Sequence, residues 1–175
     1  QKKLRNRSKV SAALSRLVPD VEGKGVSKAD VIIEAIFEDV DVKRELFANL
    51  EPRIKKDALL ATNTSAIPLA EISSVLKKPE RLIGIHFFNP VAKMPLVEVV
   101  YDEKSDAGQV AKGAAFCGAI NRFPLPVKSS PGFLVNRVLA KYLLKAFEIH
   151  LQRGVAKEAL DAHLSYMKKN GLLKN

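Results

Sequence analysis

The stretch Ile83–Val100, IGIHFFNPVAKMPLVEVV, decides how the rest of the chain is read. Two apolar runs, Leu82–Phe88 and Leu96–Tyr101, flank a seven-residue connection that carries Asn89, Pro90 and Pro95. A parallel crossover needs about a dozen residues, so the two runs are expected to pair as antiparallel strands. With the hairpin centred on Ala92, His86 falls directly opposite Glu98, and facing side chains of such a pair are within contact range. Glu98 lies between Val97 and Val99 in a run that reads as buried, where an ionised carboxylate is costly unless it is paired. A facing imidazole satisfies it, while the carboxylate fixes the histidine tautomer and raises its basicity. That is a general-base arrangement. The same pair would serve equally well as structural support for a hairpin, and spacing alone does not choose between the two.

Upstream, Ala29–Phe37 (ADVIIEAIF) is an apolar run after Asp30 with one interruption at Glu34, and it reads as a buried parallel strand. Glu38, Asp39 and Asp41 then open a helix from Val40 to the neighbourhood of Lys55. Asp39 suits its N-cap, and Leu46, Phe47, Leu50 and Ile54 form its apolar stripe. Ala58–Thr62 (ALLAT) is the next strand, followed by Asn63, Thr64 and Ser65, and Pro68 suits the first turn of a helix reaching Leu76. Strands alternating with helices argue for an α/β fold with a mostly parallel sheet. Ligands bind such sheets outside the carboxyl ends of the strands. Three polar stretches fall there: Glu38, Asn63–Ser65, and His86 to Asn89. Each alone is also ordinary loop and capping chemistry.

Downstream, Asp106–Ala119 reads as a helix rich in Ala and Gly, suited to close packing. Phe123–Lys128 (FPLPVK) reads as an edge strand, since Pro124 and Pro126 would interrupt an interior ladder. The longest helix is expected from Gly132 to Arg153, with Gly154 as its C-cap and a broad apolar face that includes Val138, Leu139, Tyr142, Leu143 and Phe147. Asn136 shares a side with Leu139, Ala140 and Leu143, which suits either a tertiary hydrogen bond or a ligand contact. Residues 157–175 are weakly amphipathic and too few to cover that face. A shift in composition near Lys128 divides the chain into an expected sheet domain, 1–128, and the start of a helical domain, 129–175. At the other end, residues 1–17 carry five Lys/Arg in the first nine and then become helix-compatible, and Val18–Gly25 has room for one edge strand. The GKG at 23–25 lacks the third glycine of a dinucleotide loop and does not join a strand to a helix, so it is not read as a phosphate site.

The 175 residues suit one ordinary domain or a domain with an appendage, and 47% hydrophobic with 27% charged residues is globular rather than disordered. No apolar run approaches the ~18 residues of a membrane span, so none is expected. The lone Cys117, in the small-residue run GAAFCGAI, excludes an internal disulfide and reads as a buried inert thiol in a reducing compartment. A net charge of +10 favours anionic partners, either nucleic acid or a polyphosphate-bearing small molecule. With no tryptophan and no nucleic-acid motif, the basic residues read as a solvated surface, and no nucleic-acid partner is expected.

Four ordered blocks, VIIEAIFEDVDVKRELF, LLATNTSAIPL, IGIHFFNPVAKMPLVEVV and SSPGFLVNRVLAKYL, together resemble the L-3-hydroxyacyl-CoA dehydrogenase family, in the version carried by multifunctional fatty-acid β-oxidation enzymes. The resemblance runs from Ala29 to Gly154. It implies a Rossmann-like NAD-binding domain followed by a helical domain that completes an acyl-CoA site and mediates dimerisation. It also implies oxidation of L-3-hydroxyacyl-CoA to 3-ketoacyl-CoA, by a homodimer or as part of a multifunctional complex. In its terms His86 is the base for the 3-hydroxyl and Glu98 orients it, while Ser65 and Asn136 hydrogen-bond the reacting oxygen and the imidazole. Glu38, Lys43 and Asn63 match cofactor contacts, Asn89 matches a contact on the substrate or nicotinamide side, and no metal is implied. A cytoplasmic setting is expected, with a mitochondrial or peroxisomal matrix as the alternative.

Measured against that family, the initial strand and glycine-rich loop, and a GxPxGP stretch after Asp161, have no counterpart. The expectation is therefore a dehydrogenase core lacking both ends. A second reading is a truncated or degenerate member that binds acyl-CoA, or a partner subunit, without catalysis. Nucleic-acid binding would rest on charge alone.

Overall fold

A computed structural model describes residues 7–154 together with 158, 159, 161, 162 and 165. Most of the 157–175 segment, whose weak amphipathicity bears on the helical domain, lies outside the described residues. The described residues begin with helix α1 (Arg7–Leu14), which buries no residue. Five strands then form one sheet: β1 (Val31–Glu34), β2 (Leu59–Thr62), β3 (Leu82–Phe87), β4 (Leu96–Tyr101) and β5 (Phe123–Lys128). Their order in space is their order in sequence. Strands β1, β2 and β3 run parallel, β3 and β4 are antiparallel, and β5 is parallel to β4 at the far edge. The fold is Rossmann-like.

Alternation along the strands sorts the core onto two faces. Leu59, Ala61, Ile83, Ile85, Val97 and Val99 point to one side, where they pack with Cys117 of helix α4 (Ala107–Ala119). Leu60 and Leu82 point to the other and pack with Phe47 and Leu50 of helix α2 (Val40–Leu50) and with Ile72 of helix α3 (Leu69–Ser73). A third cluster, Leu69, Val100, Val127 and Phe133, joins that face to the segment leading into helix α5 (Val135–Arg153). The parallel sheet is thus covered on both faces, which is why β2 and β3 read as near-continuous apolar runs.

Local chemistry sets the element ends. Asp39 caps α2 by accepting from the backbone N–H groups of Asp41 and Val42. The helix stops at Leu50 and tightens to a 3₁₀ turn over Glu51–Arg53, short of the expected Lys55, because Pro52 has no N–H to give. Strand β1 ends at Glu34 rather than Phe37, since the Glu34 carboxylate turns back to accept the Ile36 N–H. Helix α3 ends at Ser73, three residues before the expected Leu76. Val18–Gly25 forms turns rather than an edge strand: Asp20 accepts from the Lys24 and Gly25 N–H groups, Gly23 adopts φ +63°, and Arg53 ties the Gly23 carbonyl. Helix α5 begins at Val135 rather than Gly132, because Gly132 and Phe133 both take positive φ. Gly154 ends it in the left-handed region, as its sequence position implies.

Strands β3 and β4 approach closely at Gly84, where a Cβ would lie 2.7 Å from the Val100 Cβ. Gly84→Ala is expected to lower stability by about 1–3 kcal/mol, the usual cost of overpacking a filled core. The readout is the denaturant midpoint. An unchanged midpoint would mean that the hairpin has room the backbone geometry denies.

Candidate active site

The antiparallel register pairs His86 with Glu98, the pairing that the hairpin spacing demands. His86 Nδ1 lies 2.8 Å from Glu98 Oε2, and both side chains are buried. The other carboxylate oxygen, Oε1, accepts the backbone N–H of Leu134 at 3.0 Å and that of Val135 at 2.9 Å. Burial pushes the Glu98 carboxyl up, but the bonds from His86, Val135 and Leu134 outweigh it and hold the group below the ordinary glutamate value. An ionised Glu98 is an acceptor only, so the shared proton resides on Nδ1 and the Nε2 lone pair is left for other work. The ring is held between Phe88, whose centroid lies 4.6 Å away in a tilted arrangement, and Phe133, edge-on at 5.7 Å. This fixes one imidazole nitrogen, one tautomer and one ring plane.

A second group of side chains gathers at the carboxyl ends of β1 and β2. Glu38 Oε1 accepts the Thr64 hydroxyl at 2.6 Å, the Ser65 N–H at 2.8 Å and the Ser65 hydroxyl at 3.1 Å. Its Oε2 lies 3.3 Å from the Lys43 ammonium. Burial again raises the carboxyl, and the Thr64 and Ser65 hydrogen bonds with the Lys43 charge lower it further than burial lifts it. Lys43 itself is buried against Glu34, Nζ to Oε1 2.7 Å. Asn63 accepts the Phe87 N–H at 2.9 Å, tying the loop after β2 to the end of β3 just beyond His86.

The expected site residues therefore fall into two connected sets. His86 and Glu98 form one. Glu38, Lys43 and Ser65 form the other, with Asn63 stitched between the strands. Asn136, on the first turn of α5, joins them by donating from Nδ2 to the Ser65 carbonyl at 3.2 Å. The Ser65 hydroxyl is engaged with Glu38 and makes no hydrogen bond to His86 among the described residues. Lys43 lies behind Glu38, with 1% of its side chain exposed against 42% for Glu38, so Glu38 is the member of the pair that faces solvent. Asn89 stands exposed in the loop beyond Phe88. Cys117 is buried in the core, and burial raises its thiol above the ordinary value, which leaves it inert.

Sequence reasoning did not assign Glu34, Thr62, Thr64 or Phe133. Glu34 carried a usable signal, since a charge inside a buried strand demands a partner. Phe133 carried none, because its role follows from a left-handed turn.

A family model described as 3-hydroxyacyl-CoA dehydrogenase, NAD binding domain, matches residues 1–130. Among solved structures, (S)-3-hydroxybutyryl-CoA dehydrogenase PaaH1 from Ralstonia eutropha matches with a TM-score of 0.85 and 30% identity, over 99% of this chain and 60% of that one. FadB2 of M. tuberculosis matches with a TM-score of 0.83 and 34% identity, over 91% of this chain and 58% of that one. The dehydrogenase part of multifunctional enzyme 1 from C. elegans matches with a TM-score of 0.70 and 33% identity, over 93% of this chain and 38% of that one. The chain spans less than two thirds of the length of each.

The two depressed carboxyls of the site, Glu38 and Glu98, make stability depend on acid in a defined direction. Each contributes stability that is present above the ordinary glutamate value of 4.5 and is lost as pH falls through its lower folded value. Urea unfolding is therefore expected to give a level stability from neutral pH to about pH 5 and a decline below it. Glu98→Gln starts from a lower stability and loses less across that acid window, having no carboxylate there to protonate. Parallel declines in both proteins would remove Glu98 as a source.

Proposed function

Because the chain belongs to the 3-hydroxyacyl-CoA dehydrogenase family, we propose that it carries the base for NAD-dependent oxidation of an L-3-hydroxyacyl-CoA to the 3-ketoacyl-CoA in fatty-acid β-oxidation. The observation that supports this best is the buried His86–Glu98 pair at 2.8 Å. Oxidation at C3 removes a proton from the hydroxyl oxygen as the C3 hydride departs. His86 Nε2, with Nδ1 donating to Glu98, is the base that takes that proton, and Glu98 stabilises the imidazolium that results. In the reverse direction the imidazolium returns the proton to the keto oxygen.

The residues at the carboxyl ends of β1 and β2 fit the family's cofactor. Glu38 is ionised and part exposed, and among the described residues its Oε2 has only Lys43 as partner, so it keeps acceptor capacity for a hydroxyl pair such as a ribose diol. NAD, when bound, supplies the hydride acceptor. Asn63, Lys43 and Asn89 would complete that side, Glu38 by direct contact and Lys43 through Glu38. Ser65 and Asn136 lie where the two sets meet. In this reading Ser65 turns its hydroxyl from Glu38 to the reacting oxygen, and Asn136 holds the Ser65 loop. The start of α5 belongs to a second, helical domain beginning near residue 129, which completes the acyl-CoA site and pairs with a second copy or a multifunctional assembly.

The test is acetoacetyl-CoA-driven loss of reduced nicotinamide absorbance, with His86→Gln as the control. Loss of the base is expected to cut the rate by about 10²–10⁴-fold while the variant still folds, as a cooperative thermal unfolding transition would show. A near-normal rate in the variant would end the assignment of His86. A wild-type chain that binds the thioester but does not turn over would favour a binding role without catalysis.

A further inference from the structure

One buried charged residue of the sheet is not used by the proposed chemistry. Glu34 is the last residue of β1, and its side chain has no exposed surface. Its oxygens are spoken for: Oε1 accepts from Lys43 Nζ and from the Ile36 N–H, both at 2.7 Å, and Oε2 accepts the Thr62 hydroxyl at 2.7 Å. No ligand can reach it. A buried ion pair is seldom worth more to stability than an apolar pair of the same volume, whereas removing one partner leaves an uncompensated charge. What this pair achieves is the placement of an ammonium. Lys43 rises from the first turn of α2 and presents Nζ to Glu34 at 2.7 Å and to Glu38 at 3.3 Å.

Resting on the reading of Glu38 as the contact for the cofactor's diol, we infer that Glu34 is a positioning residue that sets the aim of Glu38 through Lys43. By taking the shorter of the two contacts, Glu34 keeps Lys43 from closing fully on Glu38. The Glu38 Oε2 then stays available to a ligand, while Oε1 holds Thr64 and Ser65. The titratable groups that the structure sets against one another here are Glu34, Lys43 and Glu38, and Thr62, Thr64 and Ser65 contribute hydroxyl or amide donors only.

Two substitutions separate positioning from mere support. Glu34→Gln keeps the shape and removes the charge, so Lys43 transfers its whole interaction to Glu38. The Glu38 carboxyl titration, followed by its ¹³C shift, then moves to lower pH. Glu34→Asp keeps the charge but draws Nζ back from Glu38, and the same titration moves to higher pH. It also supplies a readout if the Gln variant does not fold. Loss of a neighbouring negative charge lowers the Glu38 titration by itself, so the Asp variant decides: a purely structural Glu34 would leave the titration unmoved there. This measurement needs no ligand, so it decides the link whether or not the cofactor reading survives.

The second readout is NADH affinity by fluorescence. Glu34→Gln is expected to weaken it by about tenfold, the worth of one charge-assisted hydrogen bond. The same change made in a Lys43→Met background is expected to have no further effect. Opposite shifts of the Glu38 titration support the proposal, and a titration unmoved in the Asp variant, or an affinity loss that persists without Lys43, overturns it. A wild-type chain that fails to bind NADH while the titration still shifts would discard the cofactor reading and leave the positioning link intact.

Discussion

The carboxylate of Glu98 is the constraint on which the site depends, because it has two clients. One oxygen holds the His86 ring and the other holds the backbone at the start of α5. Leu134 and Val135 offer the unsatisfied N–H groups that every helix N-terminus presents, and the positive end of the helix dipole favours an anion there. The same charge is therefore stabilised from both sides: by the imidazole within the hairpin and by a helix that arrives 36 residues later in the chain. Neither contact could be altered alone. A neutral side chain at this position would loosen the tautomer of His86 and the seat of the helix together.

Two buried carboxylates thus solve one problem in different ways. Burying an ionised glutamate is unfavourable unless every oxygen is satisfied. Glu98 is satisfied by a histidine and two amides, Glu34 by a lysine, an amide and a hydroxyl. The difference lies in the partner. A histidine keeps a second nitrogen for chemistry, whereas a lysine shared between Glu34 and Glu38 carries only position and charge. These polar contacts gather near the carboxyl ends of β1, β2 and β3, where ligands bind in folds of this kind.

Most of the architecture was legible because its signals are local or short in range. The register of His86 on Glu98 followed from the length of one connection, the parallel strands from alternating strand and helix patterns, and the end of α5 from one glycine. Element ends were harder, since each depends on one hydrogen bond or its absence: Pro52 at α2, the Glu34 side chain at β1, Asp20 in the 18–25 turns. The candidate site was half legible. Facing residues in a hairpin can be counted from sequence, but the contact of Glu98 with α5 required the left-handed Phe133, and the burial of Lys43 required knowing how α2 packs over β1. Phe133 shows the limit most plainly. A bulky residue at φ 47° is disfavoured by sterics alone, and only its burial beside His86 explains its place.

The first turn of α5 is where these separate contacts become one arrangement. Its amides reach Glu98, and its Asn136 side chain reaches the Ser65 carbonyl, 71 residues away in sequence. Ser65 in turn hangs from Glu38 by both its amide and its hydroxyl. A shift of the helix along its own axis would pull on both carboxylates at once, so the start of one helix couples the Glu38 end of the site to the His86 end. That explains why the apolar face further along α5, with Val138, Tyr142 and Phe147 exposed, can await other contacts while the first turn cannot. The helix is anchored to the sheet by polar bonds at its start, and the geometry of the site follows from that end.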